Sequence, residues 1–112
     1  MSNRIIKYIE PSGILDSTKT TSFRQEIMEQ VNTGAGVIVI DLKDVTFMDS
    51  SGLGALVLAL KTVRAAQARL VICSINEQIN ILFELTSMDR VFEIFPSREE
   101  FEKATIQTNI NL

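Results

Sequence analysis

Val37-Ile38-Val39-Ile40-Asp41-Leu42-Lys43-Asp44-Val45-Thr46-Phe47-Met48-Asp49-Ser50-Ser51-Gly52-Leu53-Gly54 is the stretch from which the architecture can be read. It opens on an unbroken run of β-branched residues with no polar alternation, which suits a central strand buried on both faces, as in a parallel sheet. Beyond Asp49, Leu53, Leu56, Val57, Leu60 and Val63 form one wide apolar stripe at helical spacing. Lys61 and Arg64 follow toward the end where the helix dipole favours cations. A buried strand running into an amphipathic helix is half of a parallel crossover unit, and such crossovers are right-handed.

The flanking sequence repeats the theme. Residues 5–9 read as a short strand that ends at the turn signal Pro11-Ser12-Gly13. Asp16-Ser17-Thr18 offers N-cap chemistry for a helix whose inward face is Phe23, Ile27 and Val31 and whose stop is Asn32-Thr33-Gly34. After the central unit come a strand at 70–73, a helix at 76–85 with Ile79, Leu82 and Phe83 inward, and a strand at 91–94. Ser97-Arg98-Glu99-Glu100 reads as a capping box opening a last short helix anchored by Phe101. The expectation is an α/β fold: a four- to five-stranded, mostly parallel sheet with about four helices. It forms one domain over 1–112, with its core at about 4–104 and a frayed tail at 105–112.

Composition narrows the chemistry. The chain of 112 residues contains no histidine and one cysteine, so hydrolytic triads, an internal disulfide and a structural zinc site lack their parts. No metal and no cofactor is expected. Fourteen carboxylates against eleven Lys and Arg leave a net charge of −3, which gives no electrostatic reason to seek nucleic acid or anionic lipid. The uncharged run 50–60 is half the length of a membrane helix, and no signal peptide opens the chain, so a cytoplasmic location with no membrane association is expected. Cys73, inside an apolar run, reads as a buried small hydrophobe. Asp41 and Asp44 read as solvated loop charges.

Functional groups of parallel sheets gather at strand carboxyl ends and at the helix N-termini that follow, which singles out Asp49-Ser50-Ser51-Gly52. As plain structure, Asp49 is a helix cap and the glycines allow close backbone approach. Gly54 reads equally well as a packing residue. A serine nucleophile is excluded as an enzyme reading: Met48 stands where a nucleophile elbow needs glycine, and no imidazole exists to activate the hydroxyl.

The whole run 37–54 closely resembles the signature of bacterial anti-sigma factor antagonists, of the STAS family (sulphate transporter and anti-sigma factor antagonist domains). Gly13-Ile14-Leu15-Asp16 is similar to the family's turn before its first helix, and residues 82–92 to its third helix and last strand. The resemblance implies a phosphorylated switch protein, not an enzyme. The serine after the motif aspartate, Ser50, would be the phosphate acceptor, with Ser51 as the alternative. Unphosphorylated, such a protein binds a GHKL-type serine kinase that doubles as an anti-sigma factor and so frees the sigma factor. Phosphorylated, it lets go until a PP2C-like phosphatase restores it.

The implied contact surface joins Asp16, Ser17, Thr18 and Thr20 to Asp49, Ser50, Ser51, Gly52 and Leu53. Asp49 would cap its helix, orient the Ser50 hydroxyl, or do both; a plain cap explains Asp16 nearly as well. The family begins with a hairpin, and only twelve residues precede Gly13. Its first strand is therefore expected to be missing or short, leaving a sheet edge open to homodimerisation. Two other readings stay open: a switch whose kinase controls a client other than a sigma factor, and a STAS domain that senses a small ligand.

Overall fold

The structure is a computed structural model describing residues 5–110, with side chains through residue 105. In chain order the elements are β1 (Ile6–Ile9), β2 (Ser12–Leu15), α1 (Thr20–Asn32), β3 (Val37–Asp41), β4 (Asp44–Met48) and α2 (Ser50–Ala65). Then follow β5 (Arg69–Cys73), α3 (Glu77–Leu85), a 3₁₀ turn at Met88–Arg90, β6 (Glu93–Phe95) and α4 (Arg98–Ile110). The expected start of the core at Arg4 and the last two residues of the tail lie outside the described residues. The last helix runs to Ile110, longer than the short helix expected.

β1, β3, β5 and β6 form one parallel sheet in that order, so β3 and β5 are its interior strands. This is why 37–40 and 70–73 read as continuous apolar runs: both faces are covered. Ile38, Ile40, Leu70 and Ile72 enter the main core with Phe23 and Ile27 of α1, Leu56, Leu60 and Val63 of α2, and Ile79 and Phe83 of α3. Val39, Val71 and Cys73 point the other way, onto Phe101 of α4. Three helices thus cover one face and one covers the other. Arg98 fastens α4 to the β1 side, stacking 3.6 Å over the Tyr8 ring and pairing with Glu10 and Glu102.

The α/β class, the four helices and the four-stranded parallel sheet are as expected; a second, two-stranded sheet is not. Residues 12–15, read as the end of a turn, and 44–48, read as a loop, pair in parallel as a separate two-stranded sheet, β2–β4. Pro11 is tolerated because it precedes the strand. A bulge between Gly13 and Ile14, with Gly13 at φ +75°, breaks the two-residue period that would have revealed β2. β6 begins at Glu93, because Ser87 adopts a left-handed conformation and the 3₁₀ turn uses the residues before it.

Two further corrections concern aspartates. Asp41, expected to be solvated, is 1% exposed. Its carboxylate accepts the Lys43 amide at 3.1 Å where the chain leaves β3. Asp16 does not cap α1, whose N-cap is Lys19 without a side-chain bond. Asp16 instead closes a tight turn, accepting the Thr18 amide at 3.0 Å and the Thr18 hydroxyl at 2.6 Å, and these bonds lower its pKa below the ordinary carboxylate value. The first strand, expected to be missing or short, is present as the four-residue β1 at the edge of the main sheet, with β2 following it into the turn at 13–16.

Candidate functional site

The site forms where β2 and β4 end side by side. Leu15 and Met48 are register partners, and the chain leaves them toward α1 and α2 respectively. Asp49 is the N-cap of α2, extended in backbone, and its carboxylate accepts the Gly52 amide at 2.9 Å. That satisfies one of the donors a helix start leaves unpaired. Gly52 is required here: a β-carbon at this position would lie 2.2 Å from the Leu15 carbonyl oxygen and 2.9 Å from Met48 Cγ. The close approach seats the first turn of α2 directly on the end of β2. Gly52 and Leu53 therefore face inward, and the partner-facing role expected for them falls on buried residues.

Ser50 and Ser51 are both exposed on the first turn of α2. They differ in surroundings. Ser51 lines a groove of about 520 Å³ between α1 and α2, together with Ser17, Thr20, Thr21, Arg24 and Leu58; Ser50 is outside that wall. Of the nine residues expected on the contact surface, Ser17, Thr20 and Ser51 line this groove, while Asp16, Thr18, Asp49, Ser50, Gly52 and Leu53 do not. Asp16 and Thr18 are occupied with each other beside it. Gly54 opens onto the groove with nothing within 4 Å of a β-carbon built there, in contrast to Gly52.

Sequence reasoning missed Arg24, Leu58 and the outward pair on β2–β4. Arg24 follows Thr20 by one helical turn, and that spacing was its only signal. Leu58 is 50% exposed, on the face of α2 opposite its core stripe. Ile14 and Phe47 are register partners, 50% and 46% exposed, so the ribbon presents an apolar pair to solvent next to the Ser50 turn. Isolated exposed apolar residues are ordinary; a cross-strand pair of large ones beside a polar helix start is less so.

The chemistry available is limited. No group of three or more metal-ligating side chains is found among the described residues. Cys73 is buried, and burial together with the nearby Asp41 charge pushes its thiol up to about 11, so it is inert as a thiolate. Arg69 is bound through two of its guanidinium nitrogens to Glu93. No helix among the described residues is long and apolar enough to cross a membrane.

The chain belongs to the STAS domain family, whose profile matches residues 2–101. It is similar to the anti-sigma-B factor antagonist of Listeria monocytogenes, 37% identical over 71 residues that span 62% of each chain. It is also similar to the anti-sigma F factor antagonist of Paenibacillus polymyxa, 26% identical over 83% of this chain and 80% of that one. Among solved structures, TM1081 of Thermotoga maritima superposes with a TM-score of 0.79 at 26% identity, covering 87% of this chain and 84% of that one. The fold is also that of SpoIIAA, solved in a phosphorylated form (TM-score 0.68, 20% identity, 93% and 95% covered).

Proposed function

We propose that this protein is an anti-sigma factor antagonist switched by phosphorylation at Ser50, a kinase substrate and not an enzyme. Unphosphorylated, it binds a GHKL-type serine kinase that is also the anti-sigma factor, releasing the sigma factor in the cytoplasm. Phosphorylation ends that binding, and a PP2C-like phosphatase resets it. The observation that carries the reading is the exposed Ser50 hydroxyl at the first residue of α2, directly after its capping aspartate. The names of the Listeria and Paenibacillus relatives support the client class. The phosphorylated SpoIIAA structure supports the capacity of the fold to hold a phosphate.

The physics of the switch follows from that position. A phosphate adds about −1.5 to −2 charge at neutral pH. A partner packed over the Ser50 turn would have to bury that charge. An uncompensated charge in such an interface costs about 3–5 kcal/mol, or two to four decades of affinity. One modification is therefore sufficient.

Intact-protein mass after incubation with ATP and cytosolic extract of the source cells tests the reading, for the wild type, Ser50→Ala and Ser51→Ala. One phosphate on the wild type and Ser51→Ala, and none on Ser50→Ala, is the expected result. Phosphate retained by Ser50→Ala moves the acceptor to Ser51. No phosphate on any of them turns attention to the groove between α1 and α2, which favours a ligand-sensing domain. Titration calorimetry with ATP and GTP then decides that reading. A client other than a sigma factor would leave these results unchanged and appear as the protein released from the kinase.

A further inference from the structure

β4 ends at Met48, the residue before the capping aspartate, and both of its edges are held. On one edge it pairs with β2, Leu15 opposite Met48. On the other, the first turn of α3 supplies side chains in place of a strand. The Gln78 amide accepts the Met48 N–H at 2.9 Å and donates to the Met48 carbonyl at 2.8 Å. A single side chain thus satisfies both backbone groups of one residue, as a neighbouring strand would. Two residues earlier, Asn76 caps α3 by accepting the Ile79 amide at 2.9 Å. Its amide nitrogen donates to the Val45 and Thr46 carbonyls, each at 3.2 Å.

We infer that Gln78, backed by Asn76, is a positioning residue for phosphoryl transfer: it fixes Met48 and thereby the turn that presents Ser50 to the kinase. The inference rests on the assignment of Ser50 as acceptor. Transfer requires the attacking oxygen to sit about 3–3.5 Å from phosphorus in line with the leaving group, and a misplacement of about 1 Å costs on the order of 100-fold in rate. Ser50 is two residues beyond Met48, and the cap from Asp49 to Gly52 is built on the same turn. The backbone that enters the turn is therefore held by hydrogen bonds from a separate helix, 30 residues away in sequence. Neither Gln78 nor Asn76 belongs to the motif that marks the acceptor.

The test uses the full chain with ATP and cytosolic extract of the source cells as kinase source, following initial rate against chain concentration. Gln78→Leu is expected to lower the saturating rate tenfold or more while the KM for the chain stays within about twofold. Amide exchange at Met48 is expected to accelerate in the same variant. Gln78→Glu keeps the shape and the acceptor for the Met48 N–H but loses the donor. It guards against a folding failure of the leucine variant and is expected to show a smaller fall of the same kind. Faster Met48 exchange with an unchanged phosphorylation rate overturns the inference, because the bonds then matter only to structure. A raised KM at constant saturating rate also overturns it, because Gln78 would then be a docking contact. Absence of phosphate on wild-type Ser50 removes the underlying assignment and the inference with it, a result distinct from the other two.

Discussion

Gly52 and Gly54 stand two residues apart on α2, and the structure gives them opposite responses to the same change. Gly52→Ala places a β-carbon 2.2 Å from the Leu15 carbonyl oxygen, well inside van der Waals contact, and 2.9 Å from Met48 Cγ. Met48 can turn aside; Leu15 cannot, since it is paired with Met48 in the β2–β4 sheet and the Asp49 amide approaches the same carbonyl at 3.4 Å. Overpacking of this kind costs about 1–3 kcal/mol. Shifting the first turn of α2 also weakens the Asp49–Gly52 cap, about 1 kcal/mol more. A gain of about 0.5–1 kcal/mol from replacing a helical glycine partly offsets this. The net is a loss of about 1–3 kcal/mol, which lowers Tm by roughly 5–15 °C in a chain of this size. Gly54→Ala meets nothing within 4 Å and keeps only the helical gain, raising Tm by a few degrees. Urea titration and thermal melts followed by circular dichroism measure both. A Gly52→Ala variant as stable as the wild type, or a Gly54→Ala variant less stable than it, would refute the packing argument.

Burial raises the Cys73 thiol to about 11 from an ordinary 9.0, so the folded chain holds its proton through a range where the unfolded chain loses it. Stability contributed by this group is full below about pH 9 and is lost progressively as pH approaches 11; urea midpoints for the wild type and Cys73→Ala across that range should converge. At pH 8 the native thiol should react with a disulfide reagent at least tenfold more slowly than the urea-unfolded chain. Ile14→Ser and Phe47→Ser, on the outer face of β2–β4, should leave Tm within a few degrees of the wild type. Each should weaken capture of the kinase by at least fivefold, about 1 kcal/mol; unchanged kinase affinity in both would place the partner elsewhere.

What the sequence reveals depends on which interactions set each element. β3, β5 and α2 are legible because their burial is continuous: 38–40 and 70–73 have no exposed face, and the α2 stripe follows one helical line. β2 and β4 are not, although both are strands. Each is four or five residues long, β2 carries a bulge, and the outward residues Ile14 and Phe47 are as apolar as the inward Leu15 and Met48. A short strand with apolar residues on both sides and water on one has no period to read. Asp41 misleads for a related reason. Asp41 is the register partner of Cys73 on an interior strand of the sheet, so its burial is set by the strands brought alongside and not by its sequence neighbours. At the site, the Asp49–Ser50–Gly52 turn is legible from its own residues. The meeting of Ser17 and Thr20 with Ser51, and the clamp from Gln78, depend on helices that approach only in three dimensions.

The same geometry bears on why a phosphate would act on a partner and not on the fold. At Ser50 the added charge stands at the positive end of the α2 dipole, a favourable interaction of about 0.3–1 kcal/mol for each unit of charge near the surface. Against this stands the carboxylate of Asp49, which is already committed to the Gly52 amide and only partly exposed. The two effects are opposite in sign, and at an exposed position two charges a few ångströms apart interact by only about 1 kcal/mol in water. The folded chain is thus nearly indifferent to the modification. A partner seated on the Ile14–Phe47 pair and the adjacent turn would not be, because such seating removes water from both at once. The charge would then lose its hydration, and residues 48–52 include no cation to replace it; Arg24 lines the groove with Ser51, whose wall does not include Ser50. A modification that changes Tm by only a few degrees while changing partner affinity a hundredfold or more is the signature this arrangement predicts, and it arises from the placement of the acceptor on a helix start beside an apolar ribbon.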